Sequence, residues 1–226
     1  MSGGLYTQLL DLACGAFLLA AVVALWLREL TAIVRVFALQ GVALAAIAVL
    51  LGAHERRWDL VGVGIGIGLL RAGVLPYLIR RALAALTADR VHREEVRETQ
   101  PLVNVAASLL TAALLTLLAY AVARPLTELN PTPATRALPV GLAVVLTGFF
   151  VLVTRRRALA QVVGFLLLDN GITATAFLAT SGVPLIVELG VSFDVLLAVL
   201  VLQILTTRVR EAFGTTDIDD LRELHD

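Results

Sequence analysis

Long apolar runs separated by short polar stretches dominate the sequence. Seven of these runs hold about 20 residues, enough for a helix to cross a hydrocarbon core roughly 30 Å thick. They cover residues 5–27, 33–53, 60–79, 102–123, 138–154, 158–180 and 183–207. The pattern predicts an all-α fold, a polytopic membrane bundle of about seven transmembrane helices. The short fifth run and the narrow gap before the last one leave six or eight helices open.

The composition agrees with a chain that lies mostly in a lipid bilayer. Of 226 residues, 59% are hydrophobic and 16% charged, and the mean hydropathy is +0.90, a combination that soluble domains rarely have. The formal net charge of +0 offers no concentrated basic surface for a nucleic-acid partner. We therefore predict one integral membrane domain over residues 1–226. It divides into helices one to three with a cytoplasmic extension (1–100), helix four with an outer loop (101–137), helices five to seven (138–209) and a cytoplasmic tail (210–226).

The arginines between the apolar runs predict the orientation in the membrane. All 18 basic residues are arginine. Thirteen of them fall in the first, third and fifth loops and the tail: Arg28, Arg35, Arg80, Arg81, Arg90, Arg93, Arg97, Arg155, Arg156, Arg157, Arg208, Arg210 and Arg222. The opposite side holds four: Arg56, Arg57, Arg124 and Arg136. Because cytoplasmic loops are enriched in Lys and Arg, we predict an outside N-terminus and a cytoplasmic C-terminus.

Three charged residues are predicted near the membrane midplane. Arg71, Asp169 and Asp194 each lie about eleven residues into a run, hence about 16 Å deep. Such residues are costly in lipid and usually face protein or a water-filled cavity. Arg71 would pair with one carboxylate, either to lock the bundle or to tune a proton relay that uses the remaining acid. Glu188 lies about 9 Å nearer the outer side, where it would begin a path toward Asp194.

Uncharged polar residues and helix-distorting residues accompany these charges. Gln40, Gln161 and Asn170 lie within or near the runs, where each would hydrogen-bond a neighbouring helix or together they would hold a water chain. In the stretch "GVGIGIG" at 62–68, Gly62 with Gly66 and Gly64 with Gly68 offer small faces for a neighbouring helix. Pro76 is expected to kink the third helix beside Arg71.

The sequence provides no predicted redox centre. Cys14 is the only cysteine, and the three histidines (His54, His92 and His225) lie between or beyond apolar runs. That set lacks the ligands of an iron-sulfur cluster or a paired-histidine haem. We therefore expect no cofactor on this chain, and any redox centre on another subunit.

Several blocks resemble one membrane-protein family. The stretches "QVVGFLLLDNG", "PLIVELGVSFD" and "GTTDIDDL", together with "ALQGVAL" and an arginine five residues before Pro76, resemble hydrogenase-4 component E. That family supplies a membrane subunit of formate hydrogenlyase-type complexes and is similar to the small K subunit of complex I. The resemblance implies a multi-pass protein of a prokaryotic cytoplasmic membrane, next to antiporter-like membrane subunits. It also implies soluble hydrogenase-like subunits that carry the nickel-iron and iron-sulfur centres.

The same resemblance assigns the candidate proton-pathway residues. Gln161, Gly164 and Asn170 match the family's glutamine, glycine and asparagine positions, and Gln40 matches the polar position of the second helix. Glu188 and Asp194 match acidic positions. Asp169 stands where the family is expected to have glutamate, which keeps a titratable carboxyl group. Arg71 stands where lysine is expected, and because arginine stays protonated we expect it to act on neighbouring acids electrostatically.

Three other functions remain open at this point. The chain would be a scaffold subunit of such a complex if its charges form a closed ion-pair network. It would be a subunit of a multi-subunit cation/proton antiporter, although seven helices rather than three argue against that. An intramembrane aspartyl protease would need a GxGD motif, which "LLDN" and "SFDV" do not match.

Overall fold

A computed structural model describes residues 3–27, 29–87, 104–154 and 158–180, and in these ranges the protein is all-helical. The helices are α1 (Gly3–Trp26), α2 (Leu30–Glu55), α3 (Trp58–Ile67), a π-helical segment (Gly68–Val74), α4 (Leu75–Thr87), α5 (Val105–Leu129), α6 (Pro133–Thr154) and α7 (Ala158–Thr180). Because α3, the π segment and the start of α4 run on without a break, they form one membrane span, Trp58–Arg81, called the third span below.

The described helices confirm the predicted fold class. They form six spans that are long and apolar enough to cross a membrane. The predicted run 158–180 coincides with α7, and the other five differ from the observed spans by up to six residues at their ends. The seventh predicted run, with Glu188 and Asp194, lies outside the described residues. We therefore describe the protein as a multi-pass membrane protein.

The connection between α5 and α6 is shorter than the sequence suggested. Residues 124–137, expected to form the outer loop, are mostly helical, and residues 130–132 alone join the two helices. Thr132 caps α6, because its hydroxyl accepts a hydrogen bond from the Thr135 backbone N–H at 3.1 Å. Pro133 then occupies the first helical position, where its missing N–H costs nothing. A proline therefore starts α6 five residues before the predicted run.

Helices α6 and α7 form a tight antiparallel pair, which we call the second hairpin. A Cβ atom on Gly148 would lie 2.5 Å from the Leu168 nitrogen, and one on Gly171 would lie 2.5 Å from the Val145 nitrogen. Cβ atoms on Gly141 and Gly164 would lie almost as close to the facing helix, 2.8 Å from the Thr175 nitrogen and 3.0 Å from the Leu152 nitrogen. The two glycines on each helix are seven residues apart, and all four contacts fit one register along the pair.

Helix α2 and the third span form a similar antiparallel pair, which we call the first hairpin. A Cβ atom on Gly52 would lie 2.9 Å from the Val61 nitrogen, and one on Gly64 would lie 3.0 Å from the Val49 nitrogen. Gly68 faces Ala45. The predicted packing role is therefore confirmed for Gly64 and Gly68. Gly62 and Gly66 have no such contact with the described residues, none of which would lie within 4 Å of a Cβ atom on either.

The third span departs from regular α-helix where Arg71 lies. Residues Gly68–Val74 are π-helical, and the Leu75 N–H bonds to the carbonyl of Leu70, five residues back. Pro76 follows directly; its ring excludes the carbonyl four residues before it and it has no N–H to donate. A wider turn ahead of the proline relieves that clash. The structure thus has a π segment beside Arg71, where the sequence predicted a kink.

The two hairpins meet through α2 and α7, while α1 packs against both α2 and α6. One apolar core of the bundle includes Leu44, Ile47 and Leu51 of α2 and Phe177 of α7. Helix α5 packs on α6 and leaves most of its surface exposed. The α2–α7 contact therefore lies inside the bundle, and it is there that the polar residues gather.

Candidate functional site

A buried arginine is the centre of the site. Arg71 is 1% exposed, and its guanidinium contacts three side chains of α7. Nη2 lies 2.8 Å from Asp169 Oδ2 and donates a hydrogen bond to Thr173 Oγ1 at 2.9 Å. Nη1 donates to Asn170 Oδ1 at 2.6 Å. The guanidinium has five N–H donors in a planar fork, which suits several acceptors arranged around one plane.

The three acceptors share one face of α7 because of their spacing. At 100° per residue, positions 169, 170 and 173 fall within an arc of about 100°. All three side chains are buried, with Asp169 7% exposed as a residue. A regular helix therefore presents a carboxylate, an amide oxygen and a hydroxyl to a single cation.

Two amides extend the network from α7 to α1. Asn170 Nδ2 donates to Gln40 Oε1 at 3.0 Å, and Gln40 Nε2 donates to the carbonyl of Phe17 at 3.4 Å. Because Arg71 can only donate, Asn170 must turn its oxygen to the guanidinium and its NH2 group to Gln40. Gln40 in turn directs its own NH2 group to the backbone of α1. The cation thus sets the direction of the whole amide chain.

Glycines bring the backbones of this network together. Gly41 follows Gln40, and a Cβ atom there would lie 2.9 Å from both the Arg71 carbonyl carbon and the Ala72 nitrogen. Gly171 follows Asn170 and packs on α6 in the same way. Each amide that joins the network is therefore followed by a glycine that presses its helix against the partner helix of its own hairpin.

One carboxylate oxygen of Asp169 has a hydrogen-bonding partner among the described residues, and the other has none. Oδ2 pairs with Arg71, while Oδ1 accepts no hydrogen bond from any residue that the structure describes. The side chain is 10% exposed. The carboxylate of Asp169 and the hydroxyl of Thr173 can exchange protons, whereas the amides of Gln40 and Asn170 do not titrate. The network thus has one arm capable of proton exchange and one arm that anchors.

The structure brings together four of the seven predicted site residues. Arg71, Asp169, Asn170 and Gln40 form the network described above. Gln161 is half-buried on α7, about 12 Å along the axis from Asp169. Glu188 and Asp194 lie outside the described residues.

Thr173 was missed by sequence reasoning, because a threonine in an apolar run commonly bonds its own helix backbone. Thr173 lies four residues after Asp169 and hence on the same helix face. This spacing was the sequence signal that could have identified it.

Comparison with known proteins finds similar proteins in bacteria. It is 51% identical to the uncharacterized protein Rv0085 of Mycobacterium tuberculosis over the full length of both. It is 33% identical to hydrogenase-4 component E of Escherichia coli, and equally to that of Shigella flexneri, over 115 residues. This second match covers 51% of the chain and 53% of component E. No protein-family model and no solved structure matches the chain. By its full-length identity, the chain belongs to the same family as Rv0085 of M. tuberculosis.

Proposed function

We propose that this protein is a non-catalytic membrane subunit of a complex that resembles hydrogenase-4 and complex I. Its buried charges would contribute to the translocation of protons or sodium ions across a prokaryotic cytoplasmic membrane. The membrane bundle and the partial similarity to hydrogenase-4 component E support this proposal. Redox chemistry, with its nickel-iron and iron-sulfur centres, would belong to soluble partner subunits, and antiporter-like subunits would be the membrane partners.

The observation that carries the proposal is the buried Arg71–Asp169 pair, in which one carboxylate oxygen accepts no hydrogen bond from the described residues. A proton that binds this oxygen neutralises Asp169 and removes the carboxylate charge that faces the guanidinium of Arg71. Arg71 itself stays protonated at physiological pH. Proton binding at Asp169 therefore changes the local charge by one unit near the centre of the membrane. The low dielectric constant there strengthens the effect of this change on a neighbouring ion.

The amide arm has a different role in this proposal. Asn170 and Gln40 hold the guanidinium through hydrogen bonds that end at the Phe17 carbonyl. Since an amide offers no titratable proton, these two residues position Arg71 and do not pass protons. The predicted pathway residues thus divide into an acid that would exchange protons and amides that would hold the cation in place.

A scaffold subunit is the second candidate, favoured by the closed end of the amide arm at the Phe17 carbonyl. In that case the pair would serve only to join the two hairpins. A subunit of a multi-subunit cation/proton antiporter remains the third. Both alternatives keep the membrane location and differ in what the chain does for its partners.

The first experiment is isolation of the protein from membranes in mild detergent with its bound subunits. Mass spectrometry of those subunits, together with nickel and iron content, tests the proposed complex. Soluble subunits that carry metal centres support it. Copurification with antiporter subunits alone, without redox metal, favours the antiporter alternative.

The second experiment measures ion translocation and electron transfer in vesicles containing the intact complex. Asp169→Asn is expected to abolish translocation while electron transfer to a dye continues, and Asp169→Glu is expected to restore part of it. Glu128→Gln, which removes an exposed acid of α5, is the matched control. Unchanged translocation in an assembled Asp169→Asn complex would contradict the conducting role and leave the scaffold.

A further inference from the structure

Two grooves flank α2 on the surface that faces away from the buried network. The larger, about 700 Å³, lies between α1 and α2 and is lined only by leucine, valine and alanine. The smaller, about 310 Å³, lies between α2 and the third span. Leu39 and Val42 line both grooves and are 65% and 55% exposed. These two side chains therefore form a ridge with an apolar channel on each side.

Two arginines line the smaller groove at one end of the bundle. Arg35 lies in the second turn of α2, and Arg80 lies at the end of the antiparallel third span, so both occupy the same membrane face. Below them the groove is apolar, with Ala38, Ala72 and Pro76 among its lining residues. The neighbouring Tyr77 is 56% exposed, as expected for a residue at a membrane interface.

Neither arginine is neutralised by the part of the protein that the structure describes. Among the described residues, Arg35 and Arg80 form no salt bridge and no side-chain hydrogen bond, unlike Arg57, Arg71 and Arg124. Two exposed guanidiniums above an apolar channel match a phosphate group attached to a hydrocarbon chain. Free phosphate would satisfy the charges and leave the grooves unexplained.

We propose that one anionic phospholipid straddles α2, with its phosphate at Arg35 and Arg80 and one acyl chain in each groove. The Leu39–Val42 ridge would separate the two chains. By the positive-inside prediction, this lipid comes from the cytoplasmic leaflet. The site stands apart from the ion-translocation proposal. Its floor nevertheless includes Ala72, directly after Arg71, and Pro76, so a bound lipid would brace the distorted part of the third span.

The test is lipid binding to the full-length protein, purified with its bound subunits and stripped of lipid with detergent. Native mass spectrometry would measure binding of phosphatidylglycerol, with phosphatidylcholine as the zwitterionic comparison. The double variant Arg35→Gln/Arg80→Gln is expected to bind phosphatidylglycerol about thirtyfold more weakly, from about fivefold per arginine. Arg81→Gln, the matched control, removes the adjacent charge, which does not line the groove, and is expected to leave binding unchanged.

A third variant tests the grooves separately from the charges. Ala38→Trp fills the smaller groove while both arginines remain, and phosphatidylglycerol binding should be lost. If this variant fails to fold, the exposed arginine variants still decide the question. A loss per arginine in Arg81→Gln equal to that in the double variant would mean a general basic surface and overturn the proposal. Equal binding of phosphatidylcholine, full competition by inorganic phosphate, or unchanged binding in a folded Ala38→Trp protein would overturn it as well.

Discussion

The two hairpins are built alike and differ in what they hold. Each is an antiparallel pair of helices whose register is set by four closely packed glycines. In the second hairpin the packing is closest: a Cβ atom placed on Gly148 or Gly171 would lie 2.5 Å from a backbone nitrogen of the facing helix. Its helix α7 is a regular α-helix. In the first hairpin the closest backbone contacts are near 2.9 Å, and the third span carries a π segment.

This difference separates the acceptors from the donor. The regular helix α7 supplies Asp169, Asn170 and Thr173 at spacings that an undistorted helix places on one face. The distorted third span supplies the guanidinium of Arg71, which a wider turn holds against them. The acceptors thus lie on a regular helix in the more tightly packed hairpin, and the donor lies on a helix that departs from α geometry. The following variants test that distinction.

The largest effect is expected from removing one charge of the pair. Asp169→Asn removes the carboxylate charge that pairs with the buried guanidinium of Arg71, and loss of one partner of a buried pair costs about 3–5 kcal/mol. Thermal unfolding in detergent would measure it. The double variant Arg71→Met/Asp169→Leu should recover most of the loss, because apolar replacement of both partners is often neutral. If the double variant is as unstable as the single one, the pair is not the source of the cost.

The next effect is expected in the tighter hairpin. Gly171→Ala places a Cβ atom 2.5 Å from the Val145 nitrogen, and a backbone atom cannot move aside without separating α6 from α7. We expect a loss of stability near the upper end of about 1–3 kcal/mol. Gly15→Ala is the matched control in α1, since nothing lies within 4 Å of its Cβ position, and it should be neutral or stabilising. Equal unfolding temperatures for the two variants would contradict the proposed packing.

A smaller loss is expected in the first hairpin, together with a functional effect. Gly41→Ala brings a Cβ atom to 2.9 Å from the backbone of Arg71 and Ala72, where the π segment can give more readily than a regular helix. The expected cost is near the lower end of about 1–3 kcal/mol. Displacement of Arg71 should also reduce ion translocation in the vesicle assay. Gly66→Ala, with no neighbour within 4 Å, serves as the control and should change neither measurement.

The smallest effect is expected from Thr173→Val. The substitution removes one acceptor from Arg71 Nη2, which keeps its contact with Asp169, so we expect a loss of about 1 kcal/mol. Thr173→Ser retains the hydroxyl and should be closer to the original protein in unfolding temperature. Should the serine variant lose as much stability as the valine variant, packing of the threonine methyl group and not the hydrogen bond would explain the effect.

Much of the bundle was predictable from local pattern. Lipid offers no hydrogen-bond partners, so the chain must cross it as uninterrupted helices, and the apolar runs mark six of the observed spans to within a few residues. The hydropathy pattern did not predict that α6 begins at Pro133. It takes no account of the N-cap that Thr132 provides, and it counts proline against a helix. Similarly, the stretch "GVGIGIG" predicted close packing. It did not indicate that Gly64 and Gly68, and not Gly62 and Gly66, face α2.

The sequence by itself determined that a cation at 71 and an acid at 169 would lie deep in the membrane, because depth follows from position within an apolar run. It did not determine that they meet. They are 98 positions apart, and their pairing depends on two glycine registers and on the contact between α2 and α7. Only the tertiary structure decides such a pairing, because close backbone packing acts between segments that are distant in the chain. The hydropathy of each segment alone does not indicate which other segment it contacts.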